Sequence, residues 1–118
     1  LGTPAINTLE GEIRGGKLYI GAEAVLDVPG KPDGQVWVGI RPEGFILDEE
    51  GHFTCQMDRV EVMGRDVSVV CTHEKMTGRN IRAIIPSENT VNTEKKDVRF
   101  RLKPFKVHVF DRESEALL

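Results

Sequence analysis

The feature that most constrains the fold is a two-residue alternation of apolar and polar side chains, with no sustained helical period. Residues 9–14 read Leu-Glu-Gly-Glu-Ile-Arg, and residues 98–103 read Val-Arg-Phe-Arg-Leu-Lys. Because successive side chains of a strand point to opposite faces, each segment predicts a half-buried strand. Nine or ten such segments at close spacing predict an all-β protein, either a barrel or a sandwich.

Glycine and proline residues mark the turns between these segments. Gly15-Gly16 predicts a two-residue hairpin, because glycine adopts positive φ at low cost. Gly64-Arg65 predicts a second hairpin, between residues 53–63 and 66–71. The polar residues 87–96 predict a long loop.

The strands divide along the chain into two halves, about residues 8–50 and 51–111. Each half holds four or five strands, and five strands is the size of one small oligonucleotide/oligosaccharide-binding (OB) barrel. The sequence therefore predicts two OB-like barrels packed together. No sequence identity between the halves indicates a duplication. The tail, residues 112–118, is expected to add a short helical turn.

Composition narrows the function classes. The net charge of −3 and the 6% aromatic content do not indicate a protein that binds nucleic acid or anionic lipid. No apolar run approaches the ~20 residues that span a bilayer, and no signal peptide is recognisable. The two cysteines suit a reducing compartment, so a cytosolic location is expected. The chain begins without Met and is expected to be part of a longer protein.

The segment Gly11–Lys17 matches the first seven positions of a phosphate-binding loop. A true loop of this type opens a helix and places Ser or Thr after the lysine, to hold magnesium. Here Leu18 follows Lys17 and a strand resumes. The segment is therefore interpreted as a hairpin, and no nucleotide cofactor is expected in this chain.

Two histidines and two cysteines offer possible zinc ligands, at His52, Cys55, Cys71 and His73. A hairpin that turns near Gly64 would bring Cys55 opposite His73. Structural zinc sites usually carry Cys-x₂-Cys pairs, and neither pair here has that spacing. Buried free cysteines are the expected outcome, with no metal.

A basic stripe lies near the end of the chain, comprising Lys95, Lys96, Arg99, Arg101, Lys103, Lys106 and His108. Its alternation with apolar residues indicates the solvent side of a half-buried strand. Because no aromatic residue is interleaved on that polar face until Phe110, the stripe does not predict a surface that stacks bases. No serine lies in a nucleophile elbow, and no carboxylate pair stands near a histidine in an acid–base arrangement, so no catalytic residue is predicted.

The segment "VWVGIRPEGFIL", residues 36–47, contains a break in a strand. Pro42 cannot donate to a sheet ladder, and Gly44 is expected to reverse the chain through positive φ. The bend does not require Arg41 or Glu43. These two side chains are expected either to fix the corner by an ion pair or to face a partner.

Four segments resemble, in order, the C-terminal regulatory domain of sugar-importer ABC ATPases, a transport-associated OB-like (TOBE) fold. They are "LGTPAINTLEGEI" (residues 1–13), "GIRPE" (39–43), "VEVMGRDVSV" (60–69) and "VHVFDRESEALL" (107–118). The resemblance covers essentially the whole chain. Gly44 departs from the family, which often has His there, and residues 73–80 form a longer hairpin tip than usual. The resemblance implies that residues 1–8 are a junction, residues 9–111 the regulatory domain and residues 112–118 a tail.

The resemblance implies a non-catalytic regulatory and dimerisation role in an ATP-hydrolysing importer of sugars or related carbohydrates. ATP and magnesium would bind an upstream domain, and transmembrane permease subunits would contact that domain at the inner face of the plasma membrane. A second copy of the subunit, and in some members a phosphotransferase-system protein, would be partners. Arg41, Glu43, Glu61 and Gly64 are the predicted contact residues, whereas Pro42, Gly44, Gly15 and Gly16 are predicted turn residues.

Two alternatives stay open. One is a module that binds a small oxyanion such as molybdate, although the Ser-Ala-Arg-Asn opening of such domains is not found. The other is a nucleic-acid-binding OB-type barrel, which the basic stripe alone supports.

Overall fold

The computed structural model describes residues 6–89 and 91–118. Within these residues the regular structure consists of ten strands and two single 3₁₀ turns. The strands are β1 (Asn7–Arg14), β2 (Lys17–Ile20), β3 (Glu23–Asp27), β4 (Gly34–Ile40), β5 (Phe45–Leu47), β6 (Phe53–Met63), β7 (Asp66–Thr72), β8 (Ile81–Pro86), β9 (Asp97–Leu102) and β10 (Val107–Asp111). No helix in this part of the chain is long and apolar enough to span a membrane.

The strands form two five-stranded antiparallel sheets. The first sheet has the order β10-β4-β1-β2-β3, and the second has the order β5-β9-β6-β7-β8. The edge strands β5 and β8 of the second sheet lie close to each other, so this sheet curls into a nearly closed barrel. The predicted all-β, OB-like architecture is confirmed.

The two sheets exchange one strand each. β5 belongs to the first half of the sequence but pairs with β9, whereas β10 belongs to the second half but pairs with β4. A proline turn precedes each exchanged strand: the first corner is Pro42–Gly44 and the second corner is Pro104–Lys106. Because proline cannot donate to a ladder, each strand ends there and the chain crosses to the other sheet. The predicted halves therefore hold the expected number of strands but interlock.

The two corners are joined by reciprocal backbone hydrogen bonds. Arg41 N donates to Lys106 O at 3.1 Å, and Lys103 N donates to Gly44 O at 2.9 Å. Each corner also closes on itself, through Gly44 N to Arg41 O and Lys106 N to Lys103 O. Each bond made by the first corner has an equivalent made by the second corner. The crossover point therefore has a local two-fold symmetry, which the residue identities do not show.

One hydrophobic core extends across both sheets. Phe45, Phe53 and Phe100 lie at its centre, with the Phe45 ring 5.1 Å from Phe100 in an edge-to-face arrangement and 6.1 Å from Phe53. Such aromatic pairs stabilise a core beyond the area they bury. Since Phe45 lies on the exchanged strand β5, the core depends on the crossover.

Asn7 is a buried polar residue that ties the two sheets together. Its Nδ2 donates to Ile40 O and to Arg82 O, both at 3.0 Å, and its Oδ1 accepts from Arg82 N at 2.9 Å. The amide thus connects β1 and β4 of the first sheet to β8 of the second. The predicted junction over residues 1–8 includes Asn7, but residues 1–5 lie outside the described residues.

The tail contains a single turn of helical type, closed by a hydrogen bond from Glu115 N to Asp111 O at 2.8 Å, and no helix follows it. The tail folds back along β10, where Asp111 N donates to Ala116 O and Leu118 N donates to Val109 O. The Asp111 carboxylate accepts from Ser114 N at 2.8 Å, which fixes a tight turn. That turn and the packing of Leu118 on the core hold the tail against β10.

Candidate functional site

Glu61, on β6, is held between two arginines. Arg82 Nη1 donates to Glu61 Oε1 at 2.7 Å, and Arg59 Nε donates to Glu61 Oε2 at 2.9 Å. Arg82 Nη1 also donates to the buried Ser68 Oγ at 2.7 Å. The hydrogen bonds from Arg82 and Arg59 lower the pKa of Glu61. The carboxylate is therefore charged at neutral pH and fixed in orientation on an accessible face.

Beyond Glu61 the hairpin of β6 and β7 ends in two exposed apolar side chains. Val62 is 78% exposed and Met63 is 54% exposed, whereas Val60 packs against the core. The cause is the unequal length of neighbouring strands, since β9 pairs with β6 only over residues 53–56. The rest of β6 extends past that neighbour, so its apolar residues have nothing to cover them on that side.

Gly64 forms the turn at this tip with φ +70°, a conformation that favours glycine. Beyond the two adjacent residues, no described atom lies within 4 Å of the position a Cβ would occupy. The surface around the turn is therefore open. We define the tip as residues 59–65.

At the first corner, Pro42 and Gly44 are buried and Arg41 is exposed. Lys106 Nζ donates to Glu43 Oε2 at 3.3 Å. A hydrogen bond from its own backbone, followed by the Lys106 contact, lowers the pKa of Glu43. Glu43 thus fixes the corner by an ion pair. The Arg41 side chain makes no hydrogen bond or ion pair with the described residues.

The predicted reason for glycine at position 44 is wrong. Gly44 lies in a 3₁₀ turn and is not among the glycines with positive φ. Instead, a Cβ on Gly44 would lie 2.8 Å from Lys106 Cβ. Glycine is required there because the second corner packs against the first, and the sequence could not show that contact.

The corner and the tip are linked indirectly. Arg82 bonds Glu61 through its side chain and Asn7 through its backbone, and Asn7 in turn bonds Ile40, which precedes Arg41. Within residues 6–89 and 91–118, no ion pair joins Arg41 to Glu61. The four predicted contact residues therefore form two places connected through one buried asparagine.

No family model matches this chain. Two curated relatives do, both named sn-glycerol-3-phosphate import ATP-binding protein UgpC. The protein from Jannaschia sp. (strain CCS1) is 30% identical over 117 residues, and the protein from Ruegeria sp. (strain TM1040) is 25% identical over 115 residues. The matches cover 96% and 97% of this chain but 32% of each relative, so the chain spans about a third of their length.

This chain is homologous to the C-terminal part of such import ATP-binding proteins. The family resemblance inferred from the four segments is thereby confirmed. Asn7 lies in the first of those segments. Its role as a link between the sheets was missed from the sequence, because a lone asparagine gives no sign of burial.

The segment Gly11–Lys17 forms the predicted hairpin. Gly15 and Gly16 have φ of +57° and +76°, and β2 follows at Lys17. Lys17 Nζ donates to Asp27 Oδ1 at 2.9 Å. A phosphate-binding loop needs a helix after the lysine, so this strand–turn–strand unit has a different geometry.

The candidate zinc ligands do not gather into a site. Cys55 and Cys71 are buried free thiols, and their mutual hydrogen bond together with burial raises the pKa of Cys55 well above its usual range. The His73 ring stacks on Phe53 at 5.2 Å, and its Nδ1 accepts from Lys75 N. His52 is exposed. Among the residues described, no group of three or more potential ligands is found.

Two members of the basic stripe, Arg99 and Arg101, lie on the outer face of β9, as the alternation predicted. The others lie outside that strand: Lys95 and Lys96 before it, Lys103 and Lys106 at the second corner, and His108 on β10. Arg99 Nε donates to Gly51 O at 2.9 Å, and Arg101 lies 3.4 Å from Asp48. Both arginines hold the same turn, which Gly51 N closes by donating to Asp48 O at 2.9 Å. Phe100 and Leu102, which alternate with them, are buried.

Proposed function

We propose that this chain is the regulatory and dimerisation domain of the ATP-binding subunit of an importer of sugars or glycerol-3-phosphate-type carbohydrates. The observation that carries the proposal is homology over 96% of the chain to an import ATP-binding protein three times as long. In this proposal the domain is itself non-catalytic and needs no cofactor.

The tip is the proposed contact surface. Val62 and Met63 expose apolar area beside a fixed carboxylate, and such exposed apolar residues rimmed by polar ones mark interaction sites. The Glu61–arginine cluster would orient a partner, because charges at the rim of an interface set register and specificity. The proposed partners are a second copy of the same subunit and, in regulation, a phosphotransferase-system protein.

The remaining roles belong to the whole subunit. ATP and magnesium would bind its upstream domain, which would contact the transmembrane permease subunits. The assembly would lie on the cytoplasmic face of the plasma membrane, with the present domain peripheral to it. No nucleic acid is expected among its partners.

The test is the concentration dependence of self-association, measured by sedimentation velocity. The chain is expected to associate as its concentration rises, and Glu61→Lys is expected to weaken association by about tenfold or more, because it places like charges beside Arg59 and Arg82. Glu49→Lys makes the same charge change in an exposed turn and serves as the matched control.

Three results would contradict the proposal. The chain would stay monomeric at all concentrations, or Glu61→Lys would associate normally while melting normally, or Glu49→Lys would weaken association equally. A melting curve for each variant separates lost contact from lost fold.

A further inference from the structure

A short segment between β7 and β8, residues 73–77, joins the second sheet to the first. Glu10 N donates to Lys75 O at 2.9 Å, and Thr77 N donates to Thr8 O at 3.0 Å. The Thr77 hydroxyl also donates to Thr8 O, at 3.2 Å. These bonds extend the first sheet along the beginning of β1, because β2 pairs only with the end of that strand. We call residues 73–77 the latch.

The latch also closes one side of the core. Met76 forms a β-bridge with Leu9, which is fully buried, and its own side chain packs against the core. Met76 N donates to His73 O at 3.1 Å, so the latch begins with a tight turn at His73. The latch is therefore a second link between the two sheets, in addition to Asn7.

The side chain of His73 fixes this turn. Its Nδ1 accepts a hydrogen bond from Lys75 N at 3.0 Å, and its ring stacks on Phe53 with 5.2 Å between the ring centroids. Gly21 lies beside the ring, since a Cβ there would be 3.7 Å from His73 Cε1. A ring nitrogen of histidine accepts a hydrogen bond only when it carries no proton. The observed contact therefore requires a neutral imidazole.

The surroundings of His73 also favour the neutral form. Burial lowers the pKa of His73, and the positive charge of Lys75 acts in the same direction. The carboxylates of Glu74 on the latch and of Glu23 on β3 oppose this effect without reversing it. From β6 the ring meets the uncharged side chain of Phe53. Protonation of His73 is thus disfavoured as long as the latch is closed.

We propose that the latch is an acid-sensitive switch, in which a proton on His73 Nδ1 removes the acceptor for Lys75 N and releases residues 73–77 from β1. The protonated ring would then direct an N–H group at the N–H group of Lys75. Release would uncover Met76 and the edge of β1, and it would leave the two sheets less firmly joined. The proposal does not depend on the tip or on self-association through it.

The direction of the pH dependence follows from linkage. Because the pKa of His73 is lower in the closed latch than in the open one, the open latch binds more protons. The stabilisation that His73 gives is complete above about pH 6.5, the ordinary pKa of histidine, and is lost as the pH falls through the lower value of the closed latch. Acidification therefore opens the latch.

The test is amide hydrogen exchange of the isotope-labelled chain at pH 7.5 and at pH 5, with each rate divided by that of an unstructured peptide at the same pH. Protection of the Glu10 and Thr77 amides is expected to fall by about threefold or more at pH 5, because opening of the latch takes up a proton. The amides of β10, which β4 and β1 separate from the latch, are expected to keep their protection.

Two asparagine variants identify the titrating group. His73→Asn keeps an oxygen that can accept from the N–H group two residues further on, as asparagine does in turns, but it does not titrate. Its latch amides are expected to stay protected at pH 5. His52→Asn makes the same change at an exposed histidine and is expected to retain the pH dependence of the native chain.

The proposal is overturned if Glu10 and Thr77 are equally protected at both pH values, or if β10 loses protection to the same extent. It is also overturned if His73→Asn keeps the native pH dependence or if His52→Asn abolishes it. Should His73→Asn fail to fold, an NMR titration of the native chain decides. The amide shifts of Glu10 and Thr77 are expected to follow the same midpoint as the His73 ring proton, and different midpoints overturn the proposal.

Discussion

The first corner and the tip are both turns that interrupt strands, yet their environments are opposite. At the corner Pro42 and Gly44 are buried, and reciprocal backbone bonds tie them to the second corner. At the tip Val62, Met63 and Gly64 are exposed, and no described atom approaches the open side of Gly64. The residues of the two predicted contact places therefore differ in environment: those of the corner hold the crossover together, whereas those of the tip are exposed and form the contact surface that we propose.

The largest effect on stability is expected at Asn7, which connects the first corner to the tip. Asn7→Ala removes three hydrogen bonds and leaves Ile40 O, Arg82 O and Arg82 N without their partner. Each buried group left unsatisfied costs about 1–3 kcal/mol, so we expect a loss of at least about 2–4 kcal/mol in the free energy of unfolding. Denaturant unfolding measures it. Asn80→Ala, at an exposed position, is the control, and an equal loss there would contradict the link between the sheets.

Two substitutions at the first corner test why residue 44 is glycine. Gly44→Val brings a side chain against Lys106 Cβ and is expected to cost about 1–3 kcal/mol by overpacking. Pro42→Ala only loosens the turn and is expected to cost about 1 kcal/mol or less. Thermal melts of both variants test the order. If Gly44→Val melts like the native chain, the close packing of the two corners is wrong.

A double substitution tests whether the two corners are in direct contact. Gly44→Val combined with Lys106→Gly relieves the overlap at the crossover, so it is expected to recover part of the stability that Gly44→Val loses. Lys106→Gly alone supplies the reference, because contacting residues are expected to show an interaction energy. Strict additivity of the two single changes would contradict direct contact between the corners.

The smallest effect on stability is expected from the ion pairs of Glu43 at the first corner and of Glu61 at the tip. Neighbouring cations and hydrogen bonds lower the pKa of Glu43 and of Glu61. A carboxylate with a lowered folded-state pKa contributes stability above its unfolded pKa, near 4.3, and loses it as pH falls through the lower folded value. Glu43→Gln and Glu61→Gln should therefore melt slightly below the native chain at pH 7, and the difference should vanish toward pH 3. A difference that grows on acidification would contradict the sign.

The sequence predicted the strands well, because their signal is local. Residues 98–103 alternate apolar and charged side chains, and β9 buries Val98, Phe100 and Leu102 as that pattern requires. Gly15-Gly16 likewise produces the predicted hairpin. The exchange of β5 and β10 was not predicted, since it depends on pairing between segments more than 50 residues apart.

At the candidate site, too, the sequence revealed local features but not contacts between residues distant in sequence. Glu61 and Gly64 were chosen from a family segment, and their surroundings depend on Arg82, which is distant in sequence. Val62 alternates with the core-packed Val60, yet it is 78% exposed. Its exposure arises because β9 ends before reaching it, which the sequence of β6 alone does not reveal.

The most direct test of the contrast between corner and tip is hydrogen–deuterium exchange of the native chain at low and high protein concentration. Exchange is expected to slow with concentration at residues 59–65, because a second copy that covers the tip would protect its backbone amides. Exchange at residues 41–44 should be slow and unchanged, because the two corners already protect each other. Concentration-independent exchange at the tip in an associating sample, or slowing confined to the corner, would contradict it.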